Sequence, residues 1–276
     1  MALEGLTFYK MSGSGNDFVV VADLDEPGAV LELPAVVQSM CRRGTGIGAD
    51  GVVLLRPAQG RAAFRMIYFN ADGSRASMCG NAALCSARLA VELGLAGTAD
   101  FEFTTDSGPL RARVVDGLPE IDLAPVADLR PTVDVATEPG ELRMGFTVAG
   151  VPHLVVRCSS VAEIDVQRRG GALRRDPRFE DGTNVDFVAP NGDSWAMRTF
   201  ERGVEAETLA CGTGAVSSAL LLSAWGETGE VTWIRTSSGQ DLRVRLERAS
   251  GKWQPSLSGE GRIVYTGRVR ELVSSA

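Results

Sequence analysis

The chain is poor in what several common chemistries need. Only two of its 28 basic residues are lysines (Lys10 and Lys252), His153 is its one histidine, and it has five cysteines. Two lysines leave few anchors for a pyridoxal-type cofactor. A single histidine rules out a multi-histidine metal site, and no two cysteines stand in a CxxC spacing. The 35 acidic residues outnumber the bases for a net charge of −7, which argues against a general nucleic-acid binder. No apolar run approaches the roughly 20 residues that span a bilayer; the longest, 215–225, has serines inside it. The opening MALEGLTFYK carries Glu4 and lacks an apolar core, so a secretory leader is not expected. The expected setting is a reducing cytoplasm, where unpaired thiols are ordinary. Acid/base and nucleophilic chemistry is left to carboxylates and thiols.

What is present reads as an ordinary globular chain. Its 276 residues, 44% hydrophobic and 23% charged, suffice for one large domain or two moderate ones. Four short segments recur in the same order about 130 residues apart, the mark of an internal duplication. Met11-Ser12-Gly13 leading into Asp17-Phe18-Val19-Val20 resembles Val148-Ala149-Gly150 leading into His153-Leu154-Val155-Val156. Cys41-Arg42-Arg43-Gly44 resembles Gln167-Arg168-Arg169-Gly170, and Gly48-Ala49-Asp50-Gly51 resembles Gly182-Thr183-Asn184-Val185. Finally, Cys79-Gly80-Asn81-Ala82 resembles Cys211-Gly212-Thr213-Gly214. The two halves meet near the three prolines of 119–131.

Period-two or β-branched runs predict strands at 19–22, 51–55, 63–69, 111–115, 154–156, 184–188, 242–246 and 263–269. Helices are expected at 34–43, 80–93 and 212–225, each followed by glycine. The last two are apolar on nearly every face, so each is expected to lie buried on all sides with a sheet wrapped around it.

Cys79 and Cys211 fall at the first turns of those two helices. A helix N-terminus offers free N–H groups and a partial positive charge, which is expected to lower a nearby thiol's pKa. The amides of Gly80, Asn81, Gly212 and Thr213 are then a receptor for a carboxylate. If the two halves face each other, two activatable thiols flank one anion site, which suits removal of a proton from one face of a carbon and delivery to the other. Cys41, Cys85 and Cys158 have no such context and are assigned structural roles.

The strings KMSGSGNDF, GIGADG, FNADGSRASMCGN, GTNVDF and ERGVEAETLACGTGA together resemble the diaminopimelate epimerase family, over nearly the whole chain and in order. The resemblance implies an α/β (α+β) fold of two pseudo-symmetric domains, each a mostly antiparallel sheet or barrel around a central helix. They are drawn at 1–119 plus 264–276 and at 120–263. It implies a cytoplasmic isomerase, usually a homodimer, without cofactor or metal. Its reaction interconverts LL- and meso-diaminopimelate on the way to lysine and peptidoglycan. Matched position by position, Cys79 and Cys211 are the acid/base pair. The amides of Gly80, Asn81, Gly212 and Thr213 hold the reacting carboxylate, and Asn16, Asn70, Asn184 and Arg202 hold the substrate, Arg202 at its distal carboxylate. Glu201 faces the substrate ammonium, and His153 lies near one thiol.

Several positions depart from the family pattern. Val151 stands where an Asn is common before Pro-His, Ala82 and Leu84 replace residues of the usual CGNGxRC, and Gly51 stands where a Gln is frequent. The segment after Gly203 is one residue longer. Three other readings remain at this stage: a racemase for another amino acid, a Cys-His thiol hydrolase, and a non-catalytic binding protein. The five arginines between Arg168 and Arg178 have Glu163, Asp165, Asp176, Glu180 and Asp181 around them and read as a solvated face. The four tryptophans read as core or interface residues.

Overall fold

The structure, a computed structural model, describes residues 3–24, 28–249 and 251–272. Residues 1–2 and 273–276, at the ends of the expected N-terminal domain, lie outside the described residues. The chain divides into two compact units, Met1–Ile121 with Gly259–Ala276, and Asp122–Ser258.

In the first unit the chain runs through β1 (Thr7–Gly13), β2 (Asn16–Ala22), α1 (Pro34–Cys41), β3 (Gly51–Arg56), β4 (Arg65–Asn70), β5 (Arg75–Ala76), α2 (Gly80–Glu92), β6 (Phe101–Thr105), β7 (Gly108–Val115) and β8 (Leu118–Asp122). Then follow β9 (Leu129–Arg130), β10 (Glu141–Ala149), β11 (Val151–Cys158), α3 (Val166–Arg174), β12 (Asn184–Asn191), β13 (Ser194–Glu201), β14 (Ala206–Thr208), α4 (Gly212–Ala224), β15 (Val231–Arg235), β16 (Asp241–Ala249) and β17 (Lys252–Ser258). The last strand, β18 (Arg262–Arg268), returns to the first unit.

The two units repeat one topology. β1 and β2 form an antiparallel hairpin, β2 pairs parallel with β3 across α1, and β3 pairs antiparallel with β4. β10, β11, α3, β12 and β13 do the same in the same order. β4 pairs with β5 and, in parallel, with β6, which leads through antiparallel turns to β7 and β8; β13 through β16 match this pattern, and β17 pairs antiparallel with β16. Each unit borrows its outermost strand from the chain that has just left the other: β9 pairs with β10, and β18 with β1. This makes the first unit discontinuous in sequence.

Within each unit the long helix is the inner element. α2 packs against β1, β2, β3, β4, β7 and β18, and α4 against β10, β11, β12, β16 and β17. Ala82, Ala83, Leu84, Ala87, Leu89 and Ala90 on one, and Ala215, Val216, Ala219, Leu220, Leu221 and Leu222 on the other, are fully buried. Small residues let strands close round a helix. α1 and α3 cover the outer face, where Val19, Val21, Val52 and Leu54 meet Val37 and Met40, and Leu154, Val156, Val185 and Phe187 meet Val166 and Leu173. With helices on both faces, β3 is buried at every position, which explains its unbroken apolar run. Both inner helices span 13 residues and stop at a glycine in the left-handed region, Gly94 (φ 70°) and Gly226 (φ 75°).

The tryptophans are not core residues. Each lies under an arginine: Trp195 under Arg157, Trp225 under Arg143, Trp233 under Arg243 and Trp253 under Arg248, as suits a half-exposed aromatic face. The arginines of 168–178 are ion-paired, with Glu138, Glu141, Glu205 and Asp176. Among the described residues no helix is long and apolar enough to cross a membrane.

Candidate active site

Both inner helices begin on a cysteine. Cys79 is the N-cap of α2 (φ −139°, ψ 125°) and Cys211 that of α4 (φ −137°, ψ 111°). The first intrahelical bonds are from Ala83 N–H to the Cys79 carbonyl and from Ala215 N–H to the Cys211 carbonyl, 2.9 and 3.0 Å. The amides of Gly80, Asn81, Gly212 and Thr213 therefore have no acceptor within their helices. N-caps are normally Ser, Thr, Asp or Asn, whose oxygens accept well; sulfur is a weak acceptor. A cysteine here gives up capping stability, which points to chemistry. No disulfide joins any of the cysteines among the described residues.

In the first unit a polar chain leads away from the helix start. Asn81, 2% exposed, donates its amide to Asn16 Oδ1 (2.7 Å), and Asn16 donates to Asp50 Oδ2 (3.3 Å). The same Asp50 oxygen receives Asp17 N–H (3.1 Å), and Arg43 clamps Asp17 and Asp50 at 2.6 and 2.8 Å. Partial burial works to raise the Asp17 pKa, but hydrogen bonds and charge from Arg43 and Lys10 override it and hold the carboxyl at about 2. Asp50 and Arg43, absent from the sequence assignment, thus fix Asn16 and, through it, Asn81. Asn70 ends β4 opposite Gly51, and its amide bonds Ser74 Oγ (3.0 Å) rather than the Asn16 chain. The space a side chain at Gly51 would take is held by Tyr68, 2.6 Å from the position of a Cβ.

The second unit fills the matching place with different chemistry. There the β11–β12 pairing sets His153 against Asn184. His153, fully buried, meets Asp186 Oδ2 through Nδ1 (2.7 Å) and Thr213 Oγ1 through Nε2 (2.9 Å). Asn184 lies 3.3 Å from Nε2 and accepts Arg202 N–H at 2.8 Å. Thr199 donates to Asp186 Oδ1 (2.7 Å). Thr213 Oγ1 is 3.5 Å from Cys211 Sγ, and Gly214 N–H donates to that sulfur at 3.4 Å. Glu201 ends β13, and its carboxylate acts electrostatically on Cys211. The guanidinium of Arg202 donates to the Asp181 carbonyl (2.8 Å) and makes no ion pair among the described residues.

One sequence expectation is corrected here. The helix N-terminus was expected to lower the Cys211 pKa; instead burial pushes the thiol well above its ordinary range, and the Glu201 and Asp186 carboxylates push the same way. The contacts with the Thr213 hydroxyl and the Gly214 N–H lower it without offsetting that rise. A helix end contributes about 0.3–2 kcal/mol, whereas burial shifts a group by up to several pKa units. Burial also raises the Glu201 pKa, against the lowering influence of the neighbouring Cys211 and Thr208.

Asp186 and Thr199 were missed altogether, although an acid inside the apolar run VDFVA is a readable signal, since a buried charge needs partners. The position is tight: a Cβ at Gly214 would overlap Asp186 Oδ1. Gly214→Ala is expected to destabilise the protein by about 1–3 kcal/mol, as overpacked cores do, and to displace Asp186. Urea denaturation read by circular dichroism measures the first effect; an unchanged midpoint would contradict this packing. The Cys-His hydrolase reading gains nothing from the geometry, because Nε2 meets Thr213 and Asn184 rather than the thiol.

A family model described as diaminopimelate epimerase matches residues 8–122 and 146–272. A diaminopimelate epimerase of Gemmatimonas aurantiaca is 45% identical over 278 residues, covering 97% of this chain and 100% of the relative. That of Aquifex aeolicus is 37% identical over 279 residues, covering 97% and 99%. Among solved structures, a phenazine biosynthesis protein of the PhzF family from Bacillus anthracis has a TM-score of 0.75 at 12% identity, covering 97% of this chain and 99% of that one. A hydroxyproline epimerase from Agrobacterium vitis has a TM-score of 0.68 at 19% identity, covering 99% and 94%. At such identities the two structures speak for the fold.

Proposed function

This chain belongs to the diaminopimelate epimerase family, and from that premise we propose that it interconverts LL- and meso-diaminopimelate by proton exchange at Cα, in the synthesis of lysine and peptidoglycan precursors. The observation that carries the reading is the equivalent placement of Cys79 and Cys211 as N-caps of matching buried helices. Epimerisation needs a proton acceptor on one face of Cα and a donor on the other. In one direction Cys79, as thiolate, takes the α-proton, and Cys211, as thiol, delivers its own to the opposite face and keeps the electron pair. In the other direction the roles exchange.

The negative charge that develops on the carboxylate and Cα is met by the amides of Gly80, Asn81, Gly212 and Thr213, each pair held at its own helix start. Asn16, Asn70 and Asn184 hold polar groups of the substrate, and Glu201 faces its ammonium. Arg202, with no ion pair among the described residues, takes the distal carboxylate. The reading extends to a cytoplasmic homodimer.

Arg202→Met is expected to lower kcat/KM for diaminopimelate roughly 10- to 100-fold, the worth of a charge-assisted hydrogen bond, mostly through KM. Unchanged kinetics would remove Arg202 from the site. The reading as a whole is tested by following epimerisation of LL-diaminopimelate by chiral chromatography beside a panel of single amino acids. Turnover of diaminopimelate alone supports it; turnover only of another amino acid overturns it, Val151 then being the first position to examine.

A further inference from the structure

The buried polar chain behind Cys211 has a direction that can be read atom by atom. Arg202 N–H can only donate, so the atom of Asn184 that faces it at 2.8 Å is the carbonyl oxygen. The Asn184 NH2 group consequently faces His153 Nε2, which must present a lone pair. At the other end of the ring Asp186 Oδ2 accepts at 2.7 Å, so the proton sits on Nδ1. Asp186 is held in that pose by Thr199 on its second oxygen and by the close approach of Gly214. A neutral ring with its proton on Nδ1 offers Nε2 as acceptor to the Thr213 hydroxyl, 2.9 Å away, in competition with Cys211 Sγ at 3.5 Å.

We propose that Asp186 is a positioning residue that acts through His153: it fixes the Nδ1–H tautomer, draws the Thr213 hydroxyl proton toward Nε2 and away from Cys211, and so makes Cys211 the resting proton donor. The inference deepens the two-thiol reading and rests on it for its catalytic meaning. When the S–H bond breaks and its proton goes to Cα, the electron pair stays on sulfur. The Thr213 O–H then turns from Nε2 to the new thiolate, which also keeps the Gly214 N–H, while Asn184 still satisfies Nε2. The groups that face Cys211 from the surrounding strands are His153 on β11, Asp186 on β12 and Glu201 on β13, and only the first two belong to this relay.

His153 is the chain's one histidine, so its ring nitrogens are identifiable without assignment. In the full chain labelled with ring-15N histidine, long-range proton–nitrogen correlation near neutral pH should show a protonated Nδ1 and a bare Nε2. A proton on Nε2 would overturn the proposal whatever the activity. The relay itself is read from the rate of iodoacetamide alkylation at Cys211 against pH, resolved by peptide mass spectrometry, with buried Cys158 reporting any unfolding. Asp186→Asn should speed Cys211 alkylation about tenfold at a fixed mildly alkaline pH, the equivalent of one pKa unit. In a Thr213→Val background the same change should have less than about a twofold effect, since coupled residues are not additive.

An undiminished effect in that background means direct charge repulsion, and no effect in either means that Asp186 is structural; both overturn the relay. If Asp186→Asn exposes Cys158, the wild-type tautomer decides alone. These readouts need no substrate, so a failed relay is distinguishable from a failed epimerase assignment.

Discussion

Cys211→Ala is expected to lower the rate of diaminopimelate epimerisation about a thousandfold, and Cys79→Ala by a similar factor, because each removes one positioned proton carrier worth roughly 10²–10⁴-fold. The two losses should not multiply, since an exchange that lacks either partner is already broken. Each variant should nevertheless stay folded. The N-cap hydrogen bond lost with Cys211 is a long one to sulfur, 3.4 Å, and its removal costs little. Thermal denaturation beside the rate measurement separates the two effects. A variant that keeps more than a tenth of the wild-type rate would remove that cysteine from the reaction.

The largest expected effect on stability lies away from the thiols. Arg169 and Glu141 form a bidentate pair at 2.7 and 2.8 Å, with the Glu141 side chain 1% exposed and the Arg169 side chain 11% exposed. Arg169 also donates to the Ala136 carbonyl at 2.8 Å, and Glu141 accepts the Glu138 N–H at 2.7 Å. Arg169→Met leaves a buried carboxylate without its counter-charge and is expected to destabilise the second unit by about 3–5 kcal/mol. Changing both residues to apolar ones of similar size should recover much of that loss. Urea midpoints of the single and double variants test this, and a double variant no more stable than the single one would contradict it.

Much of the fold could be read in the sequence where the physical signal is strong. The two inner helices were legible because apolar residues on every face and a following glycine leave few alternatives, β2 and β3 because strands covered on both faces are continuously apolar, and β12 because Asp186 alone breaks its apolar run 185–189. The duplication was visible for the same reason: its matching segments are the turns and helix starts that backbone geometry constrains most. The strands that escaped are β1, β5, β6, β8, β9, β10, β13, β14, β15 and β17. Several are short or interrupted by proline, such as Pro119 in β8 and Pro255 in β17, and much of their burial alternates with exposure.

The site divides in the same way. Cys79 and Cys211 are proposed from their positions at helix starts, and Asn16, Asn70, Asn184, Glu201 and Arg202 from the family pattern. Asp186, Thr199, Asp50 and Arg43 could not be found from spacing, because their roles arise from strand register, which places residues far apart in sequence side by side. The sign of the Cys211 shift was misjudged because the helix end was weighed without the burial and the two carboxylates that surround the sulfur. A local rule about helix termini cannot see charges contributed by neighbouring strands.

The central claim is that proton exchange at the α-carbon of diaminopimelate runs between two different thiols. It is tested most directly by incubating the protein with LL-diaminopimelate in deuterated water and analysing the two stereoisomers separately at early turnover. The account predicts deuterium at Cα of the meso product while the remaining LL substrate stays protonated, since the group that removes the proton is not the group that delivers one. Deuterium entering recovered substrate as fast as product would mean a single base, and absence of label from diaminopimelate with incorporation into another amino acid would mean a different substrate; either would contradict the account.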